Sequence, residues 1–158
     1  MYKSESGRSM IEMLGVLAIM AIITAAAVTM WPRLMNQTSR MKVQDDVYTI
    51  SLDVRKLMSG YEDLSNLDGN MVFKAIGMSQ NNPYGGKYEI AVDSANARQF
   101  VVSITGLPTK DCEYFRLAAW RDSVDYTKSN GKQSGAIAMP SDCSDAAGNN
   151  TIAITFAQ

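Results

Sequence analysis

The sequence contains no histidine, and this absence removes several classes of function. Histidine is the commonest general base and the commonest protein ligand for metals, and it is part of every Ser/His or Cys/His catalytic pair. The chain has only two cysteines, and they lie far apart, which argues against a metal site. We therefore expect a protein that is not an enzyme and that holds no metal and no cofactor.

An excess of charge of either sign is also missing. The 15 Lys and Arg residues and 16 Asp and Glu residues give a formal net charge of -1. Nucleic-acid-binding proteins normally carry a clear excess of basic residues on one surface. No nucleic acid is therefore expected as a partner. A chain of 158 residues is long enough for one self-stabilising domain and a membrane segment.

The longest apolar run extends from Met13 to Trp31 and contains no charged residue. A helix rises about 1.5 Å per residue, so a helix over this range spans roughly the hydrocarbon core of a bilayer. The Leu, Ile and Val residues of the run together favour insertion by about 3 kcal/mol. The sequence therefore predicts a transmembrane segment.

Beyond this run the helical pattern continues but becomes one-sided. Apolar residues recur at three- and four-residue steps, as expected for one face of a helix, at Val43, Val47, Ile50, Val54, Leu57, Met58 and Tyr61. Pro32 is expected to kink the helix, and Gly60 is expected to end it. The pattern predicts one helix of about fifty residues.

The remainder of the chain predicts short elements. Residues 61–86 are rich in Gly, Asn, Asp and Ser and are expected to form an irregular connection. A short helix is expected from Pro108 to about Arg121, and the loops around residues 121–150 are expected to face solvent or partners. Strands are expected over residues 87–93, 98–104, 134–139 and 151–156. The expected fold class is α+β, with a long N-terminal helix packed on a small, mainly antiparallel sheet.

Cys112 and Cys143 lie beyond the membrane segment, one in the predicted short helix and the other in a loop before the last strand. In an oxidising compartment a disulfide between them is the natural expectation. It would stabilise the fold by roughly 3 to 4 kcal/mol in the chain-entropy model. Two buried free thiols are the alternative.

Glu12 stands at the edge of the apolar run. A carboxylate at the centre of a membrane helix costs about 2.5 to 3.5 kcal/mol, and less near its edge, so such a residue usually has a partner. The stretch Gly7-Arg8-Ser9-Met10-Ile11-Glu12, followed by a long apolar helix, resembles the prepilin pattern of the type IV pilin family, in which glutamate follows a glycine after four residues.

This resemblance implies how the precursor is processed. A prepilin peptidase would cleave after Gly7, and the new terminal amine, on Arg8, would be methylated. Glu12 would pair with the terminal amine of a neighbouring subunit during assembly. The chain would comprise a leader (1–7), the transmembrane and assembly half of the helix (8–31) and a globular pilin domain (32–158).

The resemblance also implies partners and a location. The partners would be copies of the chain and other pilins in a helical filament, the prepilin peptidase, and an assembly ATPase with its inner-membrane platform. The precursor would reside in the inner membrane, and the mature subunit in an extracellular pilus.

The C-terminal half resembles type IVb pilins in three stretches, residues 82–86, 106–112 and 143–158. In that subclass two cysteines bracket a disulfide-bound region near the C-terminus, and the resemblance gives this role to Cys112 and Cys143. The short leader is closer to type IVa and minor pilins, so both subclasses stay open.

Two other interpretations of the N-terminus stay open. A conventional signal peptide would have a basic start at Lys3 and Arg8, an apolar core over residues 13–23 and a cleavage site at residues 25–27. The mature protein would then be a soluble periplasmic or secreted domain that begins near Val28. The other interpretation is a static anchor in the inner membrane.

Overall fold

The computed structural model describes residues 6–129, 132–133, 143 and 150–158, and the side chains of residues 10–124, 143 and 150–158. Two compact units make up the chain, Met1–Thr38 and Ser39–Gln158. The elements in chain order are α1 (Ser6–Met58), α2 (Gly69–Ile76), β1 (Tyr88–Asp93), β2 (Asn96–Leu107), α3 (Thr109–Leu117), β3 (Ser123–Ser129), β4 (Lys132–Gln133) and β5 (Asn150–Ala157).

Helix α1 has 53 residues and confirms the prediction of one long helix. Residues 10–38 are exposed all round, whereas the side chains of the following stripe at Val43, Val47, Ile50 and Val54 are 0 % exposed. The helix runs through Pro32 and ends at Met58, two residues before the expected Gly60. Leu57 and Tyr61 do not belong to the buried face.

Within the residues that the structure describes, the sheet has five strands in the order β1-β2-β5-β3-β4, and every neighbouring pair is antiparallel. Strands β1 and β2 form the predicted hairpin, with Tyr88 opposite Ile104. The C-terminal strand β5 lies between β2 and β3, so pairing joins segments that are distant in sequence. This arrangement confirms the α+β class.

The core lies between the sheet and the buried face of α1. Alternate residues of the two central strands are buried, as expected for strands with one covered face: Phe100, Val102 and Ile104 in β2, and Ile152, Ile154 and Phe156 in β5. The rings of Phe100 and Phe156 stack with their centroids 5.5 Å apart. Each such side chain contributes about 1.5 to 3 kcal/mol by burial.

Three expectations about the connections are wrong. Helix α2 lies within the segment expected to be irregular, capped by the Asp68 side chain, which accepts from the Asn70 N–H, and ended by Gly77 at φ 66°. Helix α3 ends at Leu117 rather than near Arg121, and Pro108 precedes it as the N-cap. Strand β3 lies within the expected loop 121–150. The strand expected over residues 134–139 lies outside the described residues.

The hairpin is anchored by the turn that precedes β1. The Asn82 side-chain oxygen accepts from the backbone N–H groups of Tyr84 and Gly86 at 2.9 and 3.1 Å. The Asn82 amide nitrogen donates to the carbonyl of Thr105 at 2.7 Å. Gly86 approaches β2 so closely that a Cβ atom there would overlap the Thr105 carbonyl. Only glycine fits at this position.

We expect Gly86→Ala to destabilise the protein by about 2 to 4 kcal/mol, because two stretches of backbone must separate to admit a methyl group. Denaturant unfolding in detergent, followed by circular dichroism, measures this change. Gly60→Ala is the matched control, since a Cβ atom at Gly60 meets nothing within 4 Å. Equal stability of the two variants would contradict the role given to Gly86.

Candidate functional site

The three N-terminal residues of the prepilin-like pattern lie on one continuous helix. Gly7, Arg8 and Glu12 all belong to α1. Arg8 and Glu12 are four residues apart, so they lie on the same side of the helix, one turn from each other. Glu12 is exposed, and among the described side chains none forms an ion pair with it. An ion pair of Glu12 would have to form with a residue outside that set or with another molecule.

The surface that follows Glu12 is apolar on every side. The large apolar side chains between Met13 and Trp31 are 56 % to 70 % exposed. This part of α1 has a mean hydropathy of 2.4 and is long and apolar enough to cross a membrane. A continuous apolar surface of this extent marks a contact with lipid or with other proteins. Nothing in the described part of the chain covers it.

The two cysteines meet in the second unit. Cys112 of α3 and Cys143 form a disulfide with their Cα atoms 6.0 Å apart, so the alternative of two free thiols is wrong. Both residues are buried, at 0 % and 6 % exposure. The bond ties the chain just before β5 to the helix α3.

An ion pair connects this disulfide-bonded helix to α1. The Arg40 Nε lies 2.7 Å from an oxygen of Asp111, which is adjacent to Cys112, and the guanidinium lies 4.3 Å from the centroid of the Tyr114 ring. The hydrogen bond that Arg40 donates to Asp111 raises the pKa of Arg40, which therefore stays charged. Burial raises the pKa of the neighbouring Tyr84 phenol, which stays neutral.

Three further hydrogen bonds connect α1 to the sheet and to the residue that precedes β3. The Tyr88 hydroxyl donates to an oxygen of Asp46 at 2.9 Å, and burial raises the pKa of Tyr88, so the donor keeps its proton. The Arg55 guanidinium donates to the carbonyls of Ala157 and Asp122 at 2.9 and 3.0 Å. Asp122 holds a φ of 59°, a conformation that Asp tolerates better than most residues.

These contacts were not predicted from the sequence, although the position of Arg40 in the helical pattern indicates that it has a partner. Arg40 precedes Val43 by three residues and Val47 by seven, so it lies on the buried face of α1. A cation in that position requires a partner. The partner itself was not predictable, because Asp111 lies 71 residues further along the chain.

Within the described residues, no cluster of three or more His, Cys, Asp or Glu side chains is placed to hold a metal ion. The features that stand out are the apolar helix surface, the carboxylate at its beginning and the disulfide-bonded domain. They are features of association and anchoring.

We expect Arg40→Ala to destabilise the protein more than Asp111→Ala does. The Asp111 side chain is 7 % exposed and would be left as a buried, unpaired carboxylate, whereas Arg40 is 28 % exposed and can turn towards water. The expected losses are about 2 to 3 kcal/mol and about 1 to 2 kcal/mol. Thermal and denaturant unfolding measure them. The double variant should lose less than the sum, and strict additivity would contradict the pairing.

Comparison of the chain with protein-family models and with curated proteins gives no match. The functional interpretation therefore rests on the residues and on the geometry described above.

Proposed function

We propose that this chain is the precursor of a type IV pilin-like subunit, which polymerises into an extracellular filament after its leader is removed. The observation that carries the proposal is the division of α1. Its first part is apolar on all sides and uncovered, and its second part buries one face in an α+β domain. Glu12 directly precedes the apolar run from Met13 to Trp31.

The mechanism requires no bond-making chemistry by the chain itself. In the membrane, lipid covers the apolar half of α1, and in the filament the same half of neighbouring subunits covers it. Helices in lipid associate without a hydrophobic driving force, because hydrocarbon chains are as apolar as leucine. The exchange of one apolar environment for the other is therefore nearly balanced, and an assembly ATPase acting through an inner-membrane platform supplies the work.

The domain fits an extracytoplasmic location. Disulfides persist in oxidising compartments and are rare in the cytosol, and Cys112 and Cys143 form one. A prepilin peptidase would cleave after Gly7, with methylation of the amine on Arg8. The domain would coat the filament, which would contain copies of this chain and other pilins.

We expect the mature protein to begin at Arg8. Intact-mass measurement and N-terminal sequencing of protein from cells with an active prepilin peptidase provide the test. Gly7→Leu should retain Met1, because a bulky side chain would stand at the scissile bond. Gly15→Leu, a control within the apolar run, should be cleaved normally. A start near Val28 would indicate a secreted domain, and an intact Met1 in the unmodified protein would indicate a static anchor.

The mature N-terminus would carry more positive than negative charges. Arg8 would carry both its guanidinium and the terminal amine, so each subunit would bring two positive charges to the carboxylate of Glu12. An unpaired cation in an apolar filament core is costly. The i,i+4 spacing lets the Arg8 side chain pair with its own Glu12 before assembly, and the side chain then reaches a more hydrated position in the filament.

We expect Glu12→Ala to lower incorporation into filaments at least about tenfold while membrane insertion stays unchanged, since loss of a buried charge pair costs more than 1.4 kcal/mol. Arg8→Ala should have a smaller effect that depends on Glu12. Quantification of sheared filaments and of the membrane fraction measures both. Glu113→Ala, which removes an exposed carboxylate on α3, is the control.

Wild-type filament yield from Glu12→Ala would refute the assembly role of Glu12. Additive effects of Arg8→Ala and Glu12→Ala would refute only the pair.

A further inference from the structure

A cavity of about 220 Å³ lies between α1 and the segment that follows α3. Val47 and Phe156, which are almost fully buried, form its inner side. The half-buried rings of Tyr48 and Trp120 line it, and the exposed side chain of Arg121 stands at its rim. The cavity thus combines apolar and aromatic side chains with the polar side chain of Gln44, and among the described residues a single cation stands at its entrance.

This composition selects a particular kind of occupant. The Arg121 guanidinium lies 4.9 Å from the centroid of the Tyr48 ring, and no acidic side chain is among the described residues that line the cavity. An aromatic side chain fills such a site and pairs favourably with the rings, and a carboxylate beside it would meet the cation. Aromatic and Arg side chains in a pocket are typical of the centres of protein interfaces.

The same chain presents such an occupant elsewhere on its surface. Tyr61 is 58 % exposed and is followed by the exposed Glu62. Its backbone is fixed, because its N–H donates to the carbonyl of Met58 at 3.0 Å and its carbonyl accepts from the Gln158 amide at 2.9 Å. A fixed backbone lowers the conformational entropy that this segment loses on binding.

Few other exposed apolar residues of the second unit stand next to an acidic residue in the sequence. Of those that the structure describes, only Tyr61 and Tyr114 have an acidic neighbour in sequence. Tyr114 already contacts the Arg40 guanidinium and the Phe115 ring. Tyr61 is therefore the better candidate.

Tyr61 cannot reach the cavity of its own chain. The cavity lies beside residues 44–48 of α1, and the helix continues for about 15 Å from Tyr48 to its end at Met58. A contact between Tyr61 and this cavity must join two copies, and it uses a different surface on each. Contacts of this kind do not close between two molecules and can propagate along a fibre.

We propose that Tyr61 of one copy inserts into the cavity beside Tyr48 and Trp120 of the next copy, with Glu62 paired to Arg121. This contact rests on the proposed function, since it joins successive subunits of the filament through their globular domains. It places the end of α1 in one subunit beside the middle of α1 in its neighbour.

The first test is a cross-link in assembled filaments of the full chain. Gly60→Cys and Ala119→Cys are combined, because Gly60 is adjacent to Tyr61, which stays in place, and Ala119 lines the same cavity. Sheared filaments should give a ladder of intermolecular disulfides on a non-reducing gel, whereas detergent-dispersed subunits should not. Gly60→Cys combined with Ala91→Cys, which lies on the exposed side of β1, is the matched control and should give no ladder.

The second test reverses the charges. Glu62→Arg and Arg121→Glu should each lower filament yield about tenfold, and the double variant should restore it to within about twofold. Glu89→Arg, on the exposed side of β1, should leave the yield unchanged. Arg121→Glu also removes the contact between Arg121 and Tyr48 within one subunit. Thermal unfolding of detergent-dispersed subunits measures how much stability this loss costs, separately from the effect on assembly.

Normal filaments without a ladder, or a double variant no better than the single ones, would overturn this contact and leave the proposed function standing. Absence of filaments from the unmodified chain under assembly conditions would overturn both.

Discussion

The fold depends on a change in the apolar pattern of one helix. From Met10 to Thr38 every side of α1 is exposed, and from Val43 onwards a single stripe of the helix is buried against the sheet. The central strands β2 and β5 bury alternate side chains on the same core. One helix therefore has two kinds of surroundings, a protein core for its second half and an environment from outside the chain for its first half.

Specific contacts fix the rest of the domain to the second half of α1. Arg40 holds α3 through Asp111, Asp46 holds the start of β1 through Tyr88, and Arg55 holds the end of β5. The disulfide extends the first of these contacts to residue 143. The domain is thus held to the second half of α1 by contacts at three positions along the helix, Arg40, Asp46 and Arg55.

The elements that could be predicted from the sequence are those in which apolar residues recur at regular steps. The long helix, the hairpin of β1 and β2, and β5 follow from periodicity, and the disulfide follows from the presence of two cysteines in one domain. Helix α2 was missed because it has only eight residues, so the apolar repeat at Val72, Phe73 and Ile76 is too short to stand out in a segment rich in Gly, Asn, Asp and Ser. The pairing of Arg40 with Asp111 could not be predicted, since tertiary packing alone brings these residues together. The prepilin pattern at Gly7 and Glu12 remains a prediction.

The central claim is that copies of the chain cover the apolar half of α1 in the filament. A spin label on Ala21→Cys, measured by electron paramagnetic resonance, tests it directly. Packed helices lie roughly 8 to 10 Å apart, so labels on neighbouring subunits of a filament should show strong dipolar broadening that disappears in dilute detergent. Sharp, uncoupled spectra from assembled filaments would contradict the account.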